Sequence, residues 1–218
     1  MSKNENADRE RQEWLAKVYE AGGDTRLLAE HYDAWAARYD DDMVHLGYTN
    51  PALTVGLAGR FIQEPAARLL DAGAGTGIIG RLLSLLGYEN IVAMDLSQGM
   101  LDRARELGVY RELHSMDMGK RLGFEDDCFD GCTAIGVLTV GHAPPAALDE
   151  LVRVVRPGGV LIFSVTDKAF ESGFGAKMQA LADAGRWQHV AESKPYIPLP
   201  GAMGERGHGS RMFVYRVA

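Results

Sequence analysis

The spacing of apolar residues in the first 63 positions predicts a helical region. One helix carries apolar residues at helical spacing: Trp14, Leu15, Val18 and Tyr19. Gly22-Gly23 ends it, and the polar residues 1–12 before it predict a frayed end. A second helix is predicted to begin with Thr25 as its N-cap, and residues 51–61 predict a third. The apolar face of the second helix consists of Leu28, Tyr32, Trp35 and Tyr39.

From residue 64 onward, short apolar runs alternate with segments of helical periodicity. The predicted strands are residues 67–71, 90–95, 111–116, 129–138, 160–165, 187–193 and 210–217. The predicted helices between them are residues 78–86, 98–107, 144–155 and 169–184. This alternation is typical of an α/β fold with a parallel sheet. We therefore predict one domain over residues 1–218, with a helical cap (1–63) and an α/β core (64–218).

A glycine-rich loop joins the first predicted strand to the helix after it. Its sequence is Asp71-Ala-Gly73-Ala-Gly75-Thr-Gly77. Glycine permits a positive φ and lets the backbone approach a ligand, so the loop indicates a binding site. A purely structural strand-to-helix turn is the alternative.

Two details of this loop bear on its ligand. A dinucleotide fingerprint can be placed on Gly75, Gly77 and Gly80, but it begins two residues after the first glycine, whereas such a fingerprint begins as the strand ends. In addition, Asp71 would repel a pyrophosphate. An acid suits a cationic ligand such as S-adenosylmethionine, whose amino group we expect to face Asp71.

The segment Asp71–Gly77 resembles motif I of the class I S-adenosylmethionine-dependent methyltransferases. Residues 32–40 resemble the Y-D-x-x-A-x-x-Y-D element that precedes this motif, and residues 156–159, Arg-Pro-Gly-Gly, resemble the last shared motif. Residues 31–51 are similar to the Williams-Beuren critical-region methyltransferase group. The resemblance implies a three-layer, Rossmann-like α/β fold with a seven-stranded, mainly parallel sheet, an antiparallel last strand and an N-terminal helical cap.

Residues that end the predicted strands are candidates for binding the cofactor. Asp95 lies eighteen residues past Gly77, where a carboxylate can accept both ribose hydroxyls. The resemblance places Leu96 and Met100 against the adenine, and Asp117, which is also a common turn residue, at its amino group. The full candidate set is Tyr32, Tyr39, Asp71, Gly73, Gly75, Gly77, Asp95, Leu96, Met100, Asp117, Met118 and Gly136. The aromatic residues among them also suit an ordinary core.

Composition and charge restrict the partners. The 218 residues are 46% hydrophobic with a net charge of −7, which provides no general attraction to nucleic acid. No apolar run is long enough for a membrane helix, so we expect a soluble, cytoplasmic protein. Cys128 and Cys132 match no zinc-ligand pattern, and we expect no metal. The oligomeric state is left open.

The segment after the fourth strand bears on the chemistry. Residues 135–142, Ile-Gly-Val-Leu-Thr-Val-Gly-His, differ from the Asp/Asn-Pro-Pro-aromatic run and the Pro-Cys nucleophile of DNA methyltransferases. His142 is the leading candidate for a general base and Tyr39 a second one, although a loop histidine also makes structural hydrogen bonds.

We expect methyl transfer to a small molecule, with S-adenosylhomocysteine as product. The acceptor is expected between the cap, Gly141-His142 and the loop 195–208, with Tyr32, Trp35, Tyr39 and Tyr196 as its walls. A protein or RNA methyltransferase is the second hypothesis. An NAD-dependent oxidoreductase or a noncatalytic adenosyl-ligand-binding protein is the third.

Overall fold

A seven-stranded sheet forms the centre of the computed structural model, which describes residues 3–202 and 209–218. The strands are β1 (Arg68–Ala72), β2 (Asn90–Asp95), β3 (Tyr110–Ser115), β4 (Phe129–Leu138), β5 (Val155–Thr166), β6 (Trp187–Glu192) and β7 (Ser210–Val217). Their order is β3-β2-β1-β4-β5-β7-β6. Strands β1 to β5 pair in parallel, and β7 is antiparallel to both β5 and β6. The predicted mainly parallel sheet with an antiparallel last strand is thus confirmed.

Helices pack against the sheet. They are α1 (Lys3–Glu20), α2 (Thr25–Trp35), α3 (Tyr39–His45), α4 (Asn50–Phe61), α5 (Ile78–Leu85), α6 (Gln98–Glu106), α7 (Ala147–Val154), α8 (Asp167–Ala169) and α9 (Gly175–Asp183). A π-helical turn, Phe170–Phe174, links the last two. The bounds predicted for β2, β4 and β7 are confirmed.

The cap departs from its predicted form in three places. Helix α1 includes most of the polar segment that was predicted to fray, because ion pairs such as Arg11 with Asp42 hold that segment against the cap. The N-cap of α2 is Asp24, not Thr25, since the Asp24 carboxylate accepts hydrogen bonds from two backbone N–H groups at 3.0 Å. Helix α2 ends before Tyr39, which instead begins α3.

Two further helices differ from the sequence prediction. The helix predicted over residues 144–155 begins only at Ala147, because Pro144 and Pro145 form the turn before it. The helix predicted over residues 169–184 is interrupted at Gly173, whose φ of 135° is not helical. The apolar periodicity of the sequence shows neither the late start of the first helix nor the interruption of the second.

Separate apolar clusters lie on the two faces of the sheet and beneath the cap. Alternate residues of β1 illustrate the two faces, since Leu70 packs in one cluster and Leu69 in the other. The third cluster joins α1, α2 and α3 through residues such as Val18, Leu28 and Trp35. The cap therefore has its own apolar core.

Candidate active site

The carboxyl ends of β1, β2, β4 and β5 open into a cavity beneath the cap. In parallel sheets these ends meet at one edge, which is why ligands bind there. All the predicted cofactor residues except Asp71 and Gly77 line this cavity, and so does His142. The structure thus brings together residues from Tyr32 to His142 at one place.

The glycine loop reaches the cavity through Gly73 and Gly75. Gly73 has φ 76°, and a Cβ there would lie 2.1 Å from Cγ1 of Val137, so any side chain would clash with β4. Gly77 has φ 92° and lies behind the loop, where a Cβ would meet Leu107 at 2.7 Å. The first glycines therefore admit a ligand, while Gly77 allows α5 to pack closely.

Asp95 faces the cavity at the end of β2. Its Oδ2 accepts a hydrogen bond from the Gly75 N–H at 2.8 Å, and its Oδ1 accepts one from the Ser97 N–H at 2.9 Å. Burial raises the pKa of this carboxyl group, and the N–H groups of Ser97 and Gly75 act against that rise. Each carboxylate oxygen keeps a further lone pair, which fits the two hydroxyls of a ribose.

Asp71 does not face the cavity, which corrects the expectation that it meets the amino group of the ligand. Its Oδ2 accepts a hydrogen bond from the Tyr110 hydroxyl at 2.7 Å, and its Oδ1 accepts one from the Thr133 hydroxyl at 2.9 Å. Burial raises the pKa of Asp71 to about 6, against the effect of these two hydroxyls. The side chain thus connects β1 to β3 and β4.

The part of the cavity beyond Asp95 is lined by apolar side chains and by one carboxylate, that of Asp117. Leu96, Met100 and Met118 line it, which suits a flat base. Asp117 lines it too, although its Oδ1 accepts a hydrogen bond from the Gly119 N–H at 2.8 Å and its Oδ2 pairs with Lys120 at 3.2 Å. Asp117 is therefore both a turn residue and a cavity residue, so the donor set fits an adenosyl group.

The aromatic residues of the cap divide between core and cavity. Trp35 is 1% exposed and donates its indole N–H to Asp42 Oδ2 at 2.8 Å, which makes it the centre of the cap, and it also lines the cavity as predicted. The Tyr32 ring stacks on Trp35, and the Tyr39 ring contacts it edge-on. Both tyrosines present their remaining surface to the cavity. Tyr196 does not line the cavity but donates its hydroxyl to Asn50 Oδ1 at 2.7 Å.

Two carboxylates that the sequence reasoning missed hold the cap to the cofactor side of the cavity. Asp33 Oδ1 accepts hydrogen bonds from the Gly99 N–H at 2.8 Å and the Ser97 hydroxyl at 2.6 Å. Asp40 accepts a hydrogen bond from the Thr76 hydroxyl in the glycine loop. A signal was present, because each is the acid that follows a tyrosine of the 32–40 element.

His142 pairs with the cap across the cavity. Its Nε2 lies 2.9 Å from the Tyr32 hydroxyl oxygen, and its Nδ1 lies 3.5 Å from the Val140 carbonyl oxygen. Burial lowers the pKa of His142 to about 4 and raises that of Tyr32. At neutral pH the imidazole is therefore uncharged, and the Tyr32 O–H donates to Nε2. Tyr39 lines the same cavity, and burial raises its pKa as well.

The far end of the cavity is closed by the segment after β6. The Thr49 N–H donates to the Pro198 carbonyl and the Gly201 N–H to the Leu46 carbonyl, both at 2.9 Å. Pro198 and Leu199 line the cavity beside Tyr48. The predicted acceptor loop also includes residues 203–208, which lie outside the described residues.

The described residues contain neither a metal cluster nor a membrane-spanning helix. Across residues 3–202 and 209–218, no group of three His, Cys, Asp or Glu side chains is placed to hold a metal ion. None of the described helices is both long and apolar enough to cross a membrane.

Comparisons with known proteins agree with this geometry. A family model described as a methyltransferase domain matches residues 70–163. Human methyltransferase-like protein 27 is 30% identical over 182 residues, which cover 79% of this chain and 74% of that protein. The malonyl-acyl-carrier-protein O-methyltransferase of Serratia marcescens is 37% identical over 146 residues, covering 66% of this chain and 53% of that protein. This chain therefore spans about half the length of the bacterial relative.

A solved structure shares the fold. Magnesium protoporphyrin IX methyltransferase from Synechocystis, crystallised with bound S-adenosylmethionine, superposes with a TM-score of 0.56 at 17% identity, covering 77% of this chain and 79% of that one. The chain accordingly belongs to the class I methyltransferases that use S-adenosylmethionine as cofactor, in the group of methyltransferase-like protein 27.

Proposed function

We propose that the protein transfers the methyl group of S-adenosylmethionine to a small molecule enclosed beneath the cap. The observation that carries this proposal is the continuity of the cavity from Gly75 and Asp95 to the space under α1, α2 and α3. Residues of the chain itself cover the second half of the cavity: Leu15, Val18, Leu28, Met43 and Leu199. Such an enclosed, mainly apolar space suits a small acceptor better than a segment of protein or RNA.

The relatives support this acceptor class. The name of the Serratia relative states that it methylates a malonyl group on a carrier protein, and that of the Synechocystis structure states that it methylates a porphyrin. The porphyrin is a small organic molecule, and the malonyl group is a small organic group attached to a carrier protein.

The proposed division of the site assigns the cofactor to the strand ends. Asp95 binds the ribose, Leu96, Met100, Asp117 and Met118 surround the adenine, and the backbone at Gly73 and Gly75 contacts the remainder. When bound, the cofactor supplies an electrophilic methyl group on a positively charged sulfur. The protein aligns the acceptor for in-line displacement and excludes water. The cap (residues 1–63) and the core (residues 64–218) act in this proposal as one domain.

We assign proton removal to His142 acting through Tyr32. The acceptor's X–H bond breaks, its proton goes to the Tyr32 oxygen, and the hydroxyl proton of Tyr32 moves to Nε2 of His142, 2.9 Å away. Because burial lowers its pKa to about 4, the imidazole is uncharged and its Nε2 can accept this proton, although the low pKa makes it a weak base until the sulfur loses its positive charge. The new positive charge on His142 replaces the one lost from the sulfur, so the net charge of the cavity is unchanged. Tyr39 is the alternative proton acceptor.

A methyl-transfer screen tests the proposed function. The protein is incubated with labelled S-adenosylmethionine and, in parallel, a metabolite extract, a protein lysate and total RNA. Asp95→Ala serves as the background control, because it lacks the carboxylate assigned to the ribose. We expect label in a small molecule from the metabolite extract. Label found only in protein or RNA refutes the small-molecule proposal.

A further inference from the structure

Three side chains next to the acceptor half of the cavity form a hydrogen-bond chain with a definite direction. The Tyr196 hydroxyl donates to Asn50 Oδ1 at 2.7 Å, and Asn50 Nδ2 donates to the Tyr48 hydroxyl oxygen at 3.2 Å. The amide nitrogen of asparagine only donates, so the Tyr48 oxygen is the acceptor in this pair. The hydroxyl hydrogen of Tyr48 therefore remains available, and it has no acceptor within residues 3–202 and 209–218.

Asn50 is held at a buried position. Asn50 is 2% exposed, and its backbone carbonyl accepts a hydrogen bond from the Thr54 hydroxyl at 2.8 Å. Asn50 lies at the start of α4, so the helix holds its side chain between the two tyrosines. Water cannot easily replace either partner at such a buried position.

Tyr48 presents its hydroxyl group where strand β4 opens into the cavity. A Cβ at Gly136 would lie 3.0 Å from the Tyr48 oxygen, and the Gly136 N–H is already donated to the Ser164 hydroxyl at 2.8 Å. Burial raises the pKa of Tyr48, so the hydroxyl keeps its hydrogen at physiological pH. An acceptor over Gly136 thus meets the Tyr48 O–H as a donor, beside the Ser164 hydroxyl.

The side chains around this donor select against charge. Met43, Ile135 and Leu199 line the same part of the cavity, and no Lys or Arg does so among the described residues. A carboxylate bound here would lose its hydration without gaining a cationic side chain as partner. An uncharged oxygen needs only the one hydrogen bond that Tyr48 offers.

We propose that Tyr48 determines the acceptor class by donating its O–H to an uncharged carbonyl oxygen of a flat, apolar molecule. This inference rests on the proposed function, because it names the acceptor for the same cavity. Tyr48 is thereby a specificity-determining residue, and Asn50 and Tyr196 are positioning residues that act through it.

The test uses three simple probes with the full-length protein saturated with S-adenosylhomocysteine. Acetophenone and α-methylstyrene have the same shape and differ only in a carbonyl oxygen in place of CH₂, while benzoate carries a negative charge. Affinities are measured by ligand-observed NMR titration in wild type, Tyr48→Phe, Asn50→Asp and Tyr215→Phe. The last variant is the control, since Tyr215 packs on Trp187 outside the cavity.

We expect the ratio of the acetophenone affinity to the α-methylstyrene affinity to fall about tenfold in Tyr48→Phe, as for one lost hydrogen bond. Asn50→Asp keeps the Tyr48 ring, but its carboxylate accepts the Tyr48 hydrogen, so the ratio should fall there too. It should be unchanged in Tyr215→Phe. If the hydrogen bonds among Tyr196, Asn50 and Tyr48 contributed only to stability, the ratio of the two affinities would not change in these variants.

The proposal is overturned by an unchanged ratio in Tyr48→Phe and Asn50→Asp, by benzoate binding more tightly than acetophenone, or by wild type binding neither neutral probe. Unchanged affinity for S-adenosylhomocysteine shows that each variant is folded, and Asn50→Asp carries the test if Tyr48→Phe does not fold. These measurements involve no methyl transfer. Failure of the labelled screen therefore refutes the proposed function by a separate result.

Discussion

Replacing Asp95 by Asn provides a direct test of how the cavity holds its cofactor. In the wild type both carboxylate oxygens face backbone N–H donors, Gly75 N at 2.8 Å and Ser97 N at 2.9 Å. The amide group of Asn has one oxygen, so in either orientation its NH₂ replaces an oxygen that accepts one of these N–H groups and that is assigned to a ribose hydroxyl. In each orientation at least one hydrogen bond is lost.

The expected loss in affinity follows from this count. A hydrogen bond to a charged group contributes roughly 1.5–3 kcal/mol. The loss of one such bond to a ribose hydroxyl therefore weakens binding by roughly 10- to 150-fold. The change also removes a buried negative charge whose pKa is raised, so the fold itself is not expected to lose much stability.

Isothermal titration calorimetry with S-adenosylhomocysteine measures this effect. The matched control is Asp102→Asn, the same chemical change at an exposed site on α6 outside the cavity. We expect Asp102→Asn to bind like wild type, and NAD not to bind either protein tightly. A folded Asp95→Asn variant with wild-type affinity would show that Asp95 does not contact the cofactor, and the assigned division of the cavity would then be wrong.

Four further outcomes are expected. Tyr32→Phe should lower kcat by at least ~100-fold with unchanged S-adenosylhomocysteine affinity, as for loss of a general base; an unaffected kcat would refute the relay. Gly73→Ala should lower the free energy of unfolding by ~1–3 kcal/mol more than Gly87→Ala, since both have positive φ but only Gly73 meets a neighbour; equal urea midpoints would contradict this. The raised pKa of Asp71, about 6 against 3.8, means that its contribution to stability is lost as pH rises between these values. Asp71→Asn should therefore gain about 2 kcal/mol relative to wild type from pH 4 to pH 6, and parallel stability curves would disprove it. Amide exchange in residues 24–48 should slow when S-adenosylhomocysteine binds, because Asp33 and Asp40 connect this segment to the cofactor loops; equal protection would leave the cap a rigid layer.

Local patterns were sufficient to predict much of the fold and many of the residues that line the cavity at the strand ends. The apolar runs of β2, β4 and β7 are bounded by residues that stop strands, so the sequence predicts the first and last residue of each of these strands. The glycine loop and Asp95 were identified for the same reason, because a tight turn and a strand end each require particular residue types.

Errors occurred where two local signals competed. Asp24 and Thr25 both suit an N-cap, and only the observed hydrogen bonds distinguish them. The polar N-terminal helix gains its partners from α3 and from Arg38 just before it, which helical periodicity does not report. Gly173 interrupts a segment whose apolar spacing is otherwise helical.

Only the tertiary structure decided which way side chains point and which distant residues meet. The pleat of a strand reverses its side chains at every residue, so the position of Asp71 before the glycines did not reveal that it faces Tyr110 and Thr133. The pair Tyr32 and His142 is 110 residues apart in the chain, and its hydrogen bond depends on how the cap docks on the sheet. Sequence spacing determines secondary structure through short-range contacts, whereas side-chain pairs of this cavity such as Tyr32 with His142 are assembled by packing between elements.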